Sequence, residues 1–107
     1  MINAVYHRKF HSLSVSGHAY SGDPGHDLVC AAASILTYTL AASVANMSAE
    51  KQVRDSKIQI NPGMAEVSCK TAHKYEAIVT LIFDTVCAGF DLMARDYPDN
   101  INYEVRG

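Results

Sequence analysis

A chain of 107 residues is enough for one domain and too short for two. With 49% hydrophobic and 19% charged residues it is not an extended disordered chain, and a packed core is predicted. A formal net charge of -2, without a basic tail or Lys/Arg cluster, argues against a nucleic-acid surface, because phosphate binding leaves a basic footprint.

In chain order, residues 2–7 read as a strand, with Ile2, Ala4 and Tyr6 alternating against Asn3, Val5 and His7. Arg8 and Lys9 follow, and no apolar run of signal-peptide length precedes them. Residues 12–16 alternate again, Leu13 and Val15 against three serines, which predicts a hairpin through residues 8–11. Gly17 ends that strand. Residues 20–26 hold Gly22, Asp23, Pro24 and Gly25, a loop composition whose glycines permit backbone movement. Asp27 is placed to cap a helix, its carboxylate accepting from the amides of the next turn.

From residue 28 to about residue 47 the side chains are small and apolar nearly all round, so a central buried helix is predicted. Ser34, Thr37, Tyr38, Thr39 and Ser43 interrupt the run, which suits a buried helix better than a membrane span. Residues 48–55 read as polar linker. Residues 57–69 alternate around Asn61-Pro62-Gly63, giving a second hairpin. A second helix opens at Lys70 or Thr71. It carries Tyr75, Val79, Ile82, Phe83, Val86, Phe90, Met93 and Tyr97 at helical spacing, and Pro98 stops it. Residues 101–105 make a last strand. The expectation is one small α+β domain over residues 1–107, a mixed or antiparallel sheet with two helices in the order β-β-α-β-β-α-β.

The three cysteines are an odd number with no C-x-x-C pair, which points to reduced thiols in a cytoplasm. Cys69 and Cys87 fall at apolar-periodic positions and read as core thiols. Cys30 differs, lying three residues after the expected cap, where unpaired amides and the helix dipole stabilise a thiolate. His18 stands twelve positions earlier, at a strand end, and an imidazole within reach can take a thiol proton. His26 competes for that role but sits close to Cys30 in sequence. His7, His11 and His73 read as exposed strand, turn and helix-start residues. Asp27 reads as a cap and, compatibly with that, as a group that orients His18 or positions substrate. Ser34, one turn after Cys30 on the same face, is either a packing residue or a hydroxyl in the site. Amides near residues 28–30 are candidate oxyanion donors. A metal held by His18, His26, Asp27 and Cys30 is the competing chemistry, but the spacing fits no common zinc pattern, and neither metal nor cofactor is expected.

Gly17-His18-Ala19, followed by Gly25-His26-Asp27-Leu28-Val29-Cys30-Ala31-Ala32-Ala33-Ser34, resembles the signature of the ribosomal-processing cysteine protease Prp family, the YsxB-like family. The resemblance implies a cytoplasmic cysteine endopeptidase that removes the N-terminal extension of large-subunit ribosomal protein L-twenty-seven. It makes Cys30 the nucleophile and His18 the general base, with Asp27 and Ser34 as supporting positions. It also implies a homodimer and a mobile loop around Gly22, Pro24 and Gly25, which Pro24 stiffens here. Direct nucleic-acid binding and membrane attachment are not expected. The extension cleaved in this family is apolar and ends in aromatics, so an apolar groove is expected, with Ala31, Ala32 and Ala33 making room. The alternative is a non-enzymatic, ribosome-associated binding module of the same fold, which predicts an ordinary Cys30 thiol.

Overall fold

Alternation sets the first two strands. β1 (Ile2–His7) turns Ile2, Ala4 and Tyr6 inward, all buried, and β2 (Ser12–Ser16) turns Leu13 and Val15 to the same side. The computed structural model, which describes residues 1–18 and 28–107, joins them through a 3-10 turn at Arg8–Phe10. His11 completes the connection in the left-handed region, with φ 48°. The remaining elements are α1 (Leu28–Ala49), β3 (Val53–Asn61), β4 (Met64–Thr71), α2 (Glu76–Asp96) and β5 (Ile101–Arg106). Five strands form one sheet in the order β3-β4-β2-β1-β5. β1 and β5 are parallel and the other neighbours antiparallel. The expected α+β class, mixed sheet and element order hold.

Both helices cover the same face of the sheet, and their buried side chains join those of the strands in one cluster. Leu13 and Val67 from the sheet, Leu40 and Val44 from α1, and Val79, Phe83 and Phe90 from α2 are fully buried there. Each such side chain contributes about 1.5–3 kcal/mol by leaving water. The opposite face is polar, with the serines of β2 beside Glu66 and Lys57, whose ion pair spans 3.4 Å between β3 and β4.

Four expectations are corrected. First, α1 is not buried all round: Val29, Ala33, Thr37, Leu40, Ala41, Val44 and Met47 face the core, whereas Leu28, Ile35 and Tyr38 are exposed. In a two-layer fold a helix has only one side to bury, however apolar its other side is. Both helices are long and apolar enough by length and composition to cross a membrane, yet each lays one face on this sheet. Second, the linker ends early, because β3 already begins at Val53, which is buried. Its extra residues are absorbed by a β-bulge, where Asp55 (φ 50°) and Ser56 interrupt the register between Arg54 and Lys57. Third, Thr71 closes β4 rather than opening a helix. A 3-10 turn at His73–Tyr75 leads into α2, which begins at Glu76. Fourth, His11 is buried instead of exposed, with its Nε2 2.8 Å from the Thr80 hydroxyl.

The helices are fixed to each other and to the sheet at identifiable points. Gly89 of α2 leaves the space that Leu36 of α1 fills, since a Cβ there would stand 2.7 Å from a Leu36 methyl. Asp84 of α2 accepts from the Tyr6 hydroxyl at 2.8 Å and from Arg8 through two nitrogens at 3.0 Å each. The Arg8 guanidinium holds the Asp84 carboxyl below the usual carboxylate range, against a smaller opposing effect of burial.

Candidate active site

Cys30 is the third residue of α1 and half-buried. The start of a helix leaves backbone N–H groups without intrahelical partners, and the macrodipole there favours negative charge. Cys69 and Cys87 occupy a different environment. Both are buried in the core, and burial pushes their thiols up, to about 11 for Cys69 and about 12 for Cys87. They are the packing residues that their periodicity suggests.

A cleft of about 360 Å³ opens between the first half of α1 and the β3–β4 hairpin. From α1 come Cys30, Ala33, Ser34, Thr37 and Tyr38, which recur at three- and four-residue spacing and so share one face of the helix. The hairpin contributes Ile60, Asn61, Pro62, Gly63, Met64 and Ala65. The ends of β1 and β2 add Ile2, Val15, Gly17 and the exposed His18. The structure therefore brings Cys30, His18 and Ser34 to one cavity. Asp27 and the loop residues Gly22, Pro24 and Gly25 lie outside the described residues, as does His26.

None of the described residues lining this cleft is Asp, Glu, Lys or Arg. Its walls are aliphatic, with a tyrosine at one side, and Tyr38 is half exposed at 54%. Such a lining accepts apolar side chains, and its polar side chains among the described residues are the Cys30 thiol, the His18 imidazole, the Asn61 amide and the hydroxyls of Ser34, Thr37 and Tyr38. The Thr37 hydroxyl is already spent, donating to the Ala33 carbonyl at 2.8 Å. Of the three alanines expected to make room, only Ala33 lines the cleft. Ala31 is exposed and Ala32 half-buried.

Most of the apolar wall thus comes from residues not singled out by the sequence. Tyr38 was detectable, standing two turns beyond Cys30 on the face shared with Ser34. Ile60, Pro62 and Met64 were not, because their approach to Cys30 depends on the pairing of β4 with β2. Among the described residues no group of three or more His, Cys, Asp or Glu side chains is gathered to hold a metal.

The sequence matches the family model of the cysteine protease Prp over residues 1–102. The chain belongs to that family. Its fold is shared with solved structures. That of the essential ribosomal processing protease Prp from S. aureus, in complex with a covalently linked product peptide, superposes with a TM-score of 0.76 at 19% identity, covering 98% of this chain and 97% of that one. The same S. aureus Prp in complex with a substrate peptide gives 0.69 at 18% identity, covering 98% and 97%. A protein from Streptococcus mutans gives 0.71 at 22% identity, covering 98% and 95%. No curated protein matches the sequence. Within the Prp family this chain is a cysteine protease, and Cys30 is its cysteine in the cleft, the other two being core thiols.

Proposed function

We propose that this protease trims the N-terminal extension from ribosomal protein L-twenty-seven in the cytoplasm, with Cys30 as nucleophile and His18 as general base. The observation that carries the reading is the cleft lined by both the Cys30 thiol, at the start of a helix, and the His18 imidazole, with no charged side chain among its described lining residues. The S. aureus Prp, a ribosomal processing protease, supports the substrate class through its shared fold and family.

The chemistry follows from the groups in the cleft. His18 takes the proton of Cys30, and the thiolate attacks the scissile carbonyl. The oxyanion that forms is held by backbone amides at the start of α1. His18 then protonates the leaving amine as the peptide bond breaks and a thioester remains. Water, deprotonated by His18, hydrolyses the thioester and frees the acid. Ser34, one turn along the same wall, offers its hydroxyl to the bound chain. The aliphatic walls receive the apolar end of the extension. No metal, cofactor or nucleic acid enters this scheme.

The working form is a homodimer. α1 has no charged side chain along its 22 residues, and it exposes Leu28 and Ile35, while α2 exposes Ile78, Leu81 and Leu92. A second copy covers this outer apolar layer.

The test is cleavage of the full-length L-twenty-seven precursor by wild type, Cys30→Ala and His18→Ala, read by mass spectrometry. Wild type is expected to release one N-terminal peptide. Both variants should remain folded and lose at least about a thousandfold in rate. An intact precursor with wild type would sink the substrate assignment, and full cleavage by Cys30→Ala would sink the assignment of Cys30 as nucleophile.

A further inference from the structure

His18 lies two residues beyond β2. Gly17, between them, adopts φ +90°, and the place its Cβ would take is occupied by the Met1 carbonyl oxygen. The chain therefore passes this point only as glycine. Its direction is held from the neighbouring β3–β4 hairpin, where the Gly17 N–H donates to the Gly63 carbonyl at 2.9 Å.

Gly63 belongs to the two-residue turn between Asn61 and Met64, which pair across β3 and β4. Pro62 and Gly63 fill that turn, and Gly63 takes φ +76°, a conformation that other residues adopt at a cost. Strain is only half of the reason for glycine here. A Cβ at Gly63 would lie 3.0 Å from His18 Nε2, 3.6 Å from Cε1 and 3.8 Å from Cδ2. The imidazole edge occupies the space a side chain would need. One turn therefore touches both the backbone that leads into His18 and the ring itself.

We propose that Gly63 is a positioning residue for His18, and that the β3–β4 turn is the seat that fixes the imidazole in the cleft. The seat is a fact of packing. Its catalytic consequence rests on the reading of His18 as general base, because a base displaced by about 1 Å loses about two orders of magnitude in rate.

Three measurements test it. In wild type, nuclear Overhauser effects are expected between the Gly63 α-protons and the His18 ring protons, and their absence overturns the proposal without any variant. In Gly63→Ala, the His18 ring resonances should shift. With the precursor as substrate, kcat should fall at least about tenfold while KM stays within about twofold. Gly63→Asn, which tolerates the left-handed region better, is the second variant should alanine prevent folding. Unchanged ring resonances and unchanged kcat in a folded variant overturn the proposal. The third readout is alkylation of Cys30 by iodoacetamide at neutral pH, which requires no substrate. Its rate should fall in Gly63→Ala and in His18→Ala, and no further in the double variant. Additive losses would mean that Gly63 acts independently of His18 and would sink the positioning role. If His18→Ala alone leaves alkylation untouched while the Overhauser contacts hold, the base assignment fails and the seat stands.

Discussion

His11 shows how one side chain can reverse an expectation drawn from its neighbours. Flanked by Arg8, Lys9 and Ser12, it has the setting of an exposed turn residue. Its left-handed backbone turns the ring inward, to the Thr80 hydroxyl and to within 5.8 Å of the Phe83 ring centroid. Burial lowers its pKa, with Glu76 and Asp84 pulling the other way and Arg8 adding to the depression. The sign follows from linkage. Above the unfolded value of about 6.5, both states are neutral and His11 costs nothing. Below it the unfolded chain takes up the proton first, so stability falls until the pH passes the folded value. Urea midpoints should therefore decline from neutral pH to about pH 5 in wild type. His11→Asn, compatible with a left-handed backbone, should decline less, whatever its absolute stability. Equal slopes for the two proteins would show that other groups account for the acid sensitivity.

Among the elements, legibility in the sequence followed from what local pattern can encode. β1, β2 and β5 read directly because an alternating run needs only one buried face to be recognised. The buried stripe of α2, from Val79 through Phe83, Val86 and Phe90 to Met93, was equally plain. Cys30 was legible from its place at the start of a helix, and Ser34 from lying one turn later on the same face of α1. The exposed side of α1 was not, because alanine-rich apolar sequence does not say which side meets the sheet. Nor was the role of Gly63, which as sequence is only a turn residue. Gly89 is a related case, a helix-interior glycine whose reason lies on another helix. Gly89→Val should cost about 1–3 kcal/mol by forcing Leu36 out of its place, measured by denaturant unfolding. A loss below about 0.5 kcal/mol would show that Leu36 simply swings aside.

At the scale of the whole molecule, the polar serine-lined face of the sheet and the apolar outer layer of the helices give the protein two unlike sides. Solvent suits the first. The second exposes Ile35 at 63% and Leu81 at 64% without a charged residue anywhere on α1. Large exposed apolar surface marks an interaction site. Wild type should sediment as a dimer at micromolar concentration, and Leu81→Glu should shift it toward monomer while leaving far-UV circular dichroism unchanged. A monomeric wild type would remove the proposed second copy.

The cleft itself has a history in time as well as in space. Its thiol is on α1, but its opposite wall is Ile60 to Ala65, which reaches the site only when β4 pairs with β2 across some fifty residues of chain. A nascent or partly refolded chain can hold α1 and its cysteine without any binding cleft. Peptide hydrolysis thus depends on a long-range strand pairing as well as on the cysteine, and a chain that has formed only α1 is spared from acting as a loose thiol protease.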